Sequence, residues 1–183
     1  CSPTAVKHIP VLLDECLAAL EPGRGGSFAD LTFGGGGHSR AILEANSENN
    51  LLAMDCDPDA RDRSESYVLE FDDRFNFCDS SFRDLDQFSS AGEFDGILMD
   101  LGISSFQLME PIKGFSFRLD APIDMRLDPR VGQSAAEFLE TASYESLVRA
   151  VREYGEEKRW RRVVEAIIQA RGTGLLSRTM SAA

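Results

Sequence analysis

Two rhythms of apolar and polar positions run through the first hundred residues. Leu13, Cys16, Leu17 and Leu20 recur at helical spacing and predict a short amphipathic helix over 11–20. Apolar runs at 27–33, 51–55, 74–78 and 94–100 predict strands, the last of them the strongest. Between them, residues 38–45 and 57–69 carry helical patterns, Pro58 sits suitably at a helix start, and 82–88 offers a further helical face. Strands alternating with helices in this way predict a parallel sheet with helices on both faces, an α/β architecture of the doubly wound type.

The texture changes after Asp100. Residues 101–133 are rich in Gly, Pro, Ser and Phe and hold no clean period. An irregular stretch of this length in a folded chain usually serves function, and its aromatics and mixed charges argue against disorder. From Ser134 the pattern is helical again, at 135–139, 144–153 and 156–170. Ser134 and Glu137 have capping-box spacing, and Ser143 with Ser146 gives a weaker start signal. These shifts predict an α/β domain over 1–106, a substrate or linker loop over 107–133 and a helical domain over 134–183.

The candidate chemistry starts at Asp30-Leu31-Thr32-Phe33-Gly34-Gly35-Gly36-Gly37-His38. A strand ends in a carboxylate and four glycines lead into a helix, whose first N–H groups are available to a ligand. The run is neither a P-loop, since Gly37 is followed by His38-Ser39, nor a closed G-x-G-x-x-G in any register. An adenosine ligand with a charged tail and no phosphate fits better, S-adenosylmethionine among them. A tight turn without a ligand is the plainer alternative. Asp30, Asp55 and Asp100 all end predicted strands, at the edge where such sheets bind ligands. Asp55 suits a ribose, with Asp57 better read as a helix cap. Phe82 suits an adenine face or a place in the core. Asp100, followed by Gly102, would face the reactive end of the cofactor. Gln107 has both donors and acceptors, with a plain surface role as its alternative. Lys113-Gly114-Phe115-Ser116-Phe117-Arg118, with Arg126 shortly after, joins cations to aromatics in a way that suits phosphate contact and base stacking.

Composition narrows the partners. Of 183 residues, 31 are acidic and 19 are Lys or Arg, for a net charge of −12. Residues 1–110 hold 21 of the acidic groups and 7 of the basic ones, so only the later part, with 12 basic and 10 acidic residues, is a plausible nucleic-acid face. No apolar run reaches the roughly 18 residues of a membrane helix. Cys1, Cys16, Cys56 and Cys78 form no Cys-x-x-Cys pair, which predicts reduced thiols and no zinc site. The chain opens on Cys1 rather than Met, so a preceding segment is expected.

Taken together, these runs resemble the MraW/RsmH-type methyltransferases of small-subunit ribosomal RNA. The matching stretches are His8-Ile9-Pro10-Val11-Leu12-Leu13-Asp14-Glu15, the Thr32 to His38 loop, Asp95-Gly96-Ile97-Leu98-Met99-Asp100-Leu101-Gly102-Ile103-Ser104-Ser105, Gly114-Phe115-Ser116-Phe117, Asp124-Met125-Arg126 and Tyr154-Gly155-Glu156-Glu157. The resemblance implies a class I methyltransferase (Rossmann-like) sheet with an inserted helical domain that helps to hold RNA. It implies methyl transfer from S-adenosylmethionine to the exocyclic N4 of a cytidine in the small ribosomal subunit, by direct displacement without a metal. It assigns cofactor contact to Gly36, Gly37, His38, Asp55, Phe82, Asp100 and Gln107, and RNA contact is expected at Lys113, Phe115, Phe117, Arg118 and Arg126. Asp100 is the candidate for orienting the amino group. Lys113 stands where the family usually has arginine, which keeps the charge and loses the bidentate fork. The family's later strands have no counterpart before Ala183, so a C-terminally incomplete chain is expected. A bacterial-type cytoplasmic location follows from the resemblance, with an organelle possible if a targeting segment precedes Cys1. A catalytically silent module binding S-adenosylmethionine or RNA is the alternative function, and a NAD-dependent enzyme a third.

Overall fold

The computed structural model describes residues 10–182; Cys1 and the His8-Ile9 start of the first matching run lie outside them. The chain forms two compact units, residues 1–102 and 103–183.

The first unit is a four-stranded, all-parallel sheet of order β3-β2-β1-β4, built from β1 (Ser27–Asp30), β2 (Asn50–Asp55), β3 (Phe75–Asp79) and β4 (Gly96–Leu98). Helix α1 (Leu13–Leu20) precedes the sheet, and α2 (Gly37–Ala45) and α3 (Pro58–Phe71) connect β1 to β2 and β2 to β3. Phe28, Leu51, Ala53 and Phe75 point to one face of the sheet. They form the main core with Ile42 and Leu43 of α2 and with Ala60, Tyr67 and Phe71 of α3, and Leu17 and Leu20 of α1 pack against it. Ala29, Leu31 and Met54 face the other way and are covered by Leu85 and Phe94. The second face therefore carries a 3-10 run, Phe82–Gln87, where the pattern predicted an ordinary helical face.

Asp57 caps α3 as expected, its side chain accepting from the Asp59 N–H at 3.0 Å, with Pro58 at the first helical position. The strongest predicted strand is the shortest one in the sheet. β4 pairs only from Gly96 to Leu98, because its partner β1 breaks into the glycine loop after Asp30. Apolar content measures burial tendency, but a ladder lasts only as long as its neighbour stays extended.

The second unit holds α4 (Ser105–Met109), α5 (Ala135–Thr141), α6 (Tyr144–Val148) and α7 (Trp160–Ala170). Both serine caps form: Ser134 makes a capping box with Glu137, and Ser143 accepts from the Ser146 N–H. Two details depart from the pattern. α6 runs on into a π-helical turn, Arg149–Tyr154, and α7 begins at Trp160 rather than at 156. Glu156, at φ 51°, lies in the left-handed region and cannot belong to the helix. The irregular stretch is also not wholly irregular. It holds α4, and its 119–125 segment is stitched to the last residues. Ala121 and Thr179 exchange backbone and hydroxyl bonds at 2.9 and 3.0 Å, Ile123 N–H donates to Ser177 O at 3.2 Å, and Arg178 pairs with Asp120 at 2.6 Å. Ala121, Ile123, Leu147, Val164 and Leu176 are buried there.

Candidate functional site

The glycine loop leaves β1 at the carboxyl edge of the sheet, where the strand order reverses between β1 and β4. That is the position at which open parallel sheets take ligands. Asp30 is fully buried beneath it. Its carboxylate accepts the Thr32 N–H at 3.1 Å and the Ser39 hydroxyl at 2.6 Å, tying the strand end to the first turn of α2. Burial raises its pKa above the usual carboxylate range, against the pull of those two hydrogen bonds.

Three side chains fix the loop itself. Asp55 Oδ2 accepts the Gly34 N–H at 2.7 Å, while its Oδ1 accepts the Asp57 N–H at 2.9 Å. Arg63 Nε donates to the Gly34 carbonyl at 2.8 Å, and the Tyr67 hydroxyl donates to the Gly36 carbonyl at 2.9 Å. Arg63 and Tyr67 sit one turn apart on α3. Peptide units here are trans, so a carbonyl turned toward α3 sends the next N–H the opposite way. The Gly35 and Gly37 N–H groups thus point away from α3, the Gly37 one as the first N–H of α2. Gly36 needs to be glycine: its φ is 76°, and a Cβ would come within 2.5 Å of the Tyr67 ring. A Cβ on Gly37 would overlap Pro10.

The predicted residues are not all used as the sequence suggests. Asp55 stands beside the loop at the end of β2, with burial raising its pKa and the two backbone N–H groups lowering it. Each of its oxygens accepts one backbone bond and keeps a further lone pair. Phe82 opens the 3-10 run after β3 and is 40% exposed, so it is not a core residue. Asp100 is exposed, and its backbone N–H donates to Thr32 Oγ1 at 2.7 Å, which fixes the exit of β4 against the end of β1. His38 is buried and its Nε2 donates to the Val11 carbonyl at 3.1 Å. One ring nitrogen is therefore committed, and the backbone N–H of His38 lies in the first turn of α2.

In the second unit, Gln107 is only 5% exposed, and its Oε1 accepts the Ser104 N–H at 2.8 Å in the capping box of α4. Phe117 is 72% exposed and Arg118 is exposed, whereas Phe115 is half-buried. Lys113 closes a 3-10 turn, and its carbonyl accepts the Met125 N–H. Arg126 forks onto both oxygens of Asp124 at 2.7 Å, so its charge is matched within the chain. Sequence reasoning missed Arg63 and Tyr67. Their only local signal is their i, i+4 spacing on the face of α3 that leads to Phe71.

No described helix is long and apolar enough to cross a membrane. The MraW methylase family matches residues 5–183. The chain is 46% identical over 164 residues to the ribosomal RNA small subunit methyltransferase H of a Cyanothece species, covering 90% of this chain and 55% of the relative. The protein of the same name from Thermomicrobium roseum is 44% identical over 173 residues, covering 92% and 53%. That from Alteromonas mediterranea is 43% identical over 182 residues, covering 97% and 58%. The chain thus spans a little over half the length of these curated relatives.

Proposed function

The chain belongs to the MraW methylase family, and we propose that it is the methyl-donor-binding part of a methyltransferase acting on small-subunit ribosomal RNA. The donor we assign is S-adenosylmethionine and the acceptor the N4 amino group of a cytidine. One observation carries the reading. The glycine loop is braced from one side by Asp55, Arg63 and Tyr67, while the Gly35 and Gly37 N–H groups face away, at the switch point of a parallel sheet. That cradle accepts a polar tail closely and needs no phosphate-binding lysine.

S-adenosylmethionine, when bound, supplies an electrophilic sulfonium methyl whose bonding pair returns to sulfur. The residues divide the remaining tasks. Asp55 has lone pairs for the ribose hydroxyls, the exposed ring of Phe82 offers a face to the adenine, and the loop amides take the tail. The cytidine nitrogen is a poor nucleophile because its lone pair is delocalised into the ring. As it gains the methyl carbon it must shed one proton. Asp100 is exposed with its backbone held through Thr32, and its carboxylate can accept from the amino group, orient it and hold that proton. Phe117 and Arg118 offer the substrate an exposed ring and a cation.

The test is direct. S-adenosylhomocysteine should raise the melting temperature of the protein and NAD should not, since only a ligand of the native state stabilises it. The full-length protein should label small ribosomal subunits with methyl from S-adenosylmethionine. Stabilisation by NAD alone would return the loop to a dinucleotide role. Binding without transfer by the full-length protein would favour a silent binding module.

A further inference from the structure

Each peptide of the glycine loop has its own partner. The Phe33 N–H extends the sheet, donating to the Met54 carbonyl at 3.0 Å, and Asp55 takes the Gly34 N–H. The Gly36 N–H donates back to the Phe33 carbonyl at 2.6 Å, which closes residues 33–36 as a β-turn. The Gly36 carbonyl accepts twice, from the Arg40 N–H of α2 at 2.8 Å and from the Tyr67 hydroxyl at 2.9 Å. Between these lies the peptide joining Gly34 to Gly35, the central one of the turn. Its carbonyl accepts from Arg63 Nε at 2.8 Å.

That central peptide is the one whose orientation is least constrained by the chain itself. Rotating it by about half a turn converts one β-turn type into another and leaves the closing hydrogen bond in place. A Cβ on the flanking residues normally decides between the two orientations. Here both flanking residues are glycine, Gly34 lies at φ 51°, and both orientations are sterically open. They differ in what they show a ligand. With the Gly34 carbonyl turned to α3, the Gly35 N–H points away from α3, to the ligand side of the loop. Rotated, the same peptide would present its carbonyl oxygen there. The first orientation serves an anion and the second a cation.

The choice between them falls to Arg63. Its guanidinium is a charged donor, which makes the bond to the Gly34 carbonyl stronger than a neutral one. It projects from the interior of α3, whose Ala60, Tyr67 and Phe71 are set in the main core, so its base does not move with the loop. We propose that Arg63 is a positioning residue that sets the specificity of the loop for the carboxylate of the cofactor's amino-acid tail. It does so by keeping the Gly35 N–H turned to the ligand. The assignment rests on the function proposed above. In that reading Asp55 and Phe82 serve the ribose and the adenine, so ligands that differ only in the tail isolate the contribution of Arg63.

The experiment is calorimetry on the full-length protein with S-adenosylhomocysteine, its analogue with an aminopropyl tail and no carboxylate, and 5′-methylthioadenosine, which has no charged tail. Arg63→Met keeps the apolar stem and removes the donor. It should bind S-adenosylhomocysteine about tenfold more weakly, the worth of one hydrogen bond from a charged group. It should bind 5′-methylthioadenosine as wild type does, which also verifies the fold. The aminopropyl analogue should bind Arg63→Met at least as well as wild type, because the released peptide can turn its carbonyl to the amine. Arg63→Lys restores a charged donor and should recover part of the loss on S-adenosylhomocysteine. An equal loss on all the ligands would overturn the proposal, since Arg63 would then act through Asp55 or through the fold. So would undiminished S-adenosylhomocysteine affinity in Arg63→Met. A wild type that binds S-adenosylhomocysteine no tighter than 5′-methylthioadenosine would sink the tail assignment and leave the proposed function standing. A wild type that binds none of these ligands would sink both.

Discussion

The Tyr67 hydroxyl donates to the carbonyl oxygen of Gly36 at 2.9 Å across 31 residues of sequence, and this bond shapes the ligand loop. The ring that carries it is fixed independently. Phe33 meets it edge-on at 5.1 Å, and the Arg40 guanidinium lies 4.8 Å from its centroid, itself forked onto Glu70 at 2.7 Å. Burial raises the Tyr67 pKa, so the hydroxyl stays a donor throughout the neutral range. The loop is thereby held open by α3 before any ligand arrives, which lowers the ordering cost of binding.

Tyr67→Phe keeps the ring and removes the donor. S-adenosylhomocysteine affinity should fall by about 0.5–1.5 kcal/mol, the net worth of one hydrogen bond, in titration calorimetry. Gly36→Ala should cost more, since it adds a positive-φ penalty to a collision with the same ring. Wild-type affinity in Tyr67→Phe would mean the loop holds its shape without α3.

Local chemistry was the legible part of this molecule. The carboxylates of Asp30 and Asp55 at their strand ends and the caps at Asp57, Ser134 and Ser143 are each set by residues within three positions and took their expected places, whereas Asp100 lies two residues beyond the end of β4 at Leu98. The bracing of the loop was not legible, because Arg63 and Tyr67 reach it from 29 and 31 residues away through a sheet register that no local pattern encodes. The length of β4 likewise depends on where β1 ends. α4 was readable in principle, since Ser104 and Gln107 have capping-box spacing, but five residues carry too little periodicity to stand out. Ion pairing in the second unit also ran against helical rules. Arg126 and Arg130 pair with aspartates two residues before them, not with partners one turn away.

Asp55 has two roles that a ligand series can separate. Asp55→Ala should weaken S-adenosylhomocysteine by roughly 1–3 kcal/mol, part of it through the lost brace on Gly34. A 2′-deoxy analogue isolates the rest. It should bind wild type more weakly than the parent ligand and bind Asp55→Ala equally well, a double-mutant cycle in which the coupling is the ribose contact. Independent, additive losses would confine Asp55 to bracing the loop.

Asp30 sets a pH dependence whose sign is fixed by its burial. Its folded pKa lies above the ordinary 3.8. Below that ordinary value both folded and unfolded chains are protonated and no cost arises. As pH rises through the folded value, the native state must ionise a buried group, and stability falls. Asp30→Asn can still accept from the Thr32 N–H and can donate to Ser39 Oγ, so in urea denaturation it should gain on wild type as pH rises from the ordinary carboxylate value of 3.8 to the raised folded one. The arginine-paired carboxylates of Glu70, Asp124 and Asp128, whose pKa values are lowered, act oppositely and at lower pH, and they cancel in the difference between the two proteins. A constant difference across that range would mean that Asp30 ionises as freely folded as unfolded.

Asp100 is tested at the reactive end, in the full-length protein with small ribosomal subunits as acceptor. Its carboxylate is exposed, and only its backbone is anchored, through the 2.7 Å bond to Thr32 Oγ1. Asp100→Ala should abolish methyl transfer. Asp100→Asn keeps an acceptor oxygen and loses the charge that can hold the departing proton, so turnover should drop by about 10² or more, the usual worth of a positioned acid–base group. Thr32→Val leaves the carboxylate in place and removes its anchor, and should give a smaller loss of turnover at saturating cofactor, because misplacement alone erodes orientation. The ranking separates two kinds of participation. If Asp100→Asn turns over at nearly the wild-type rate while Asp100→Ala is dead, the residue aligns the amino group by hydrogen bonding, and the proton leaves by another path. If Thr32→Val is as slow as Asp100→Ala, position at the end of β4 outweighs the carboxylate itself.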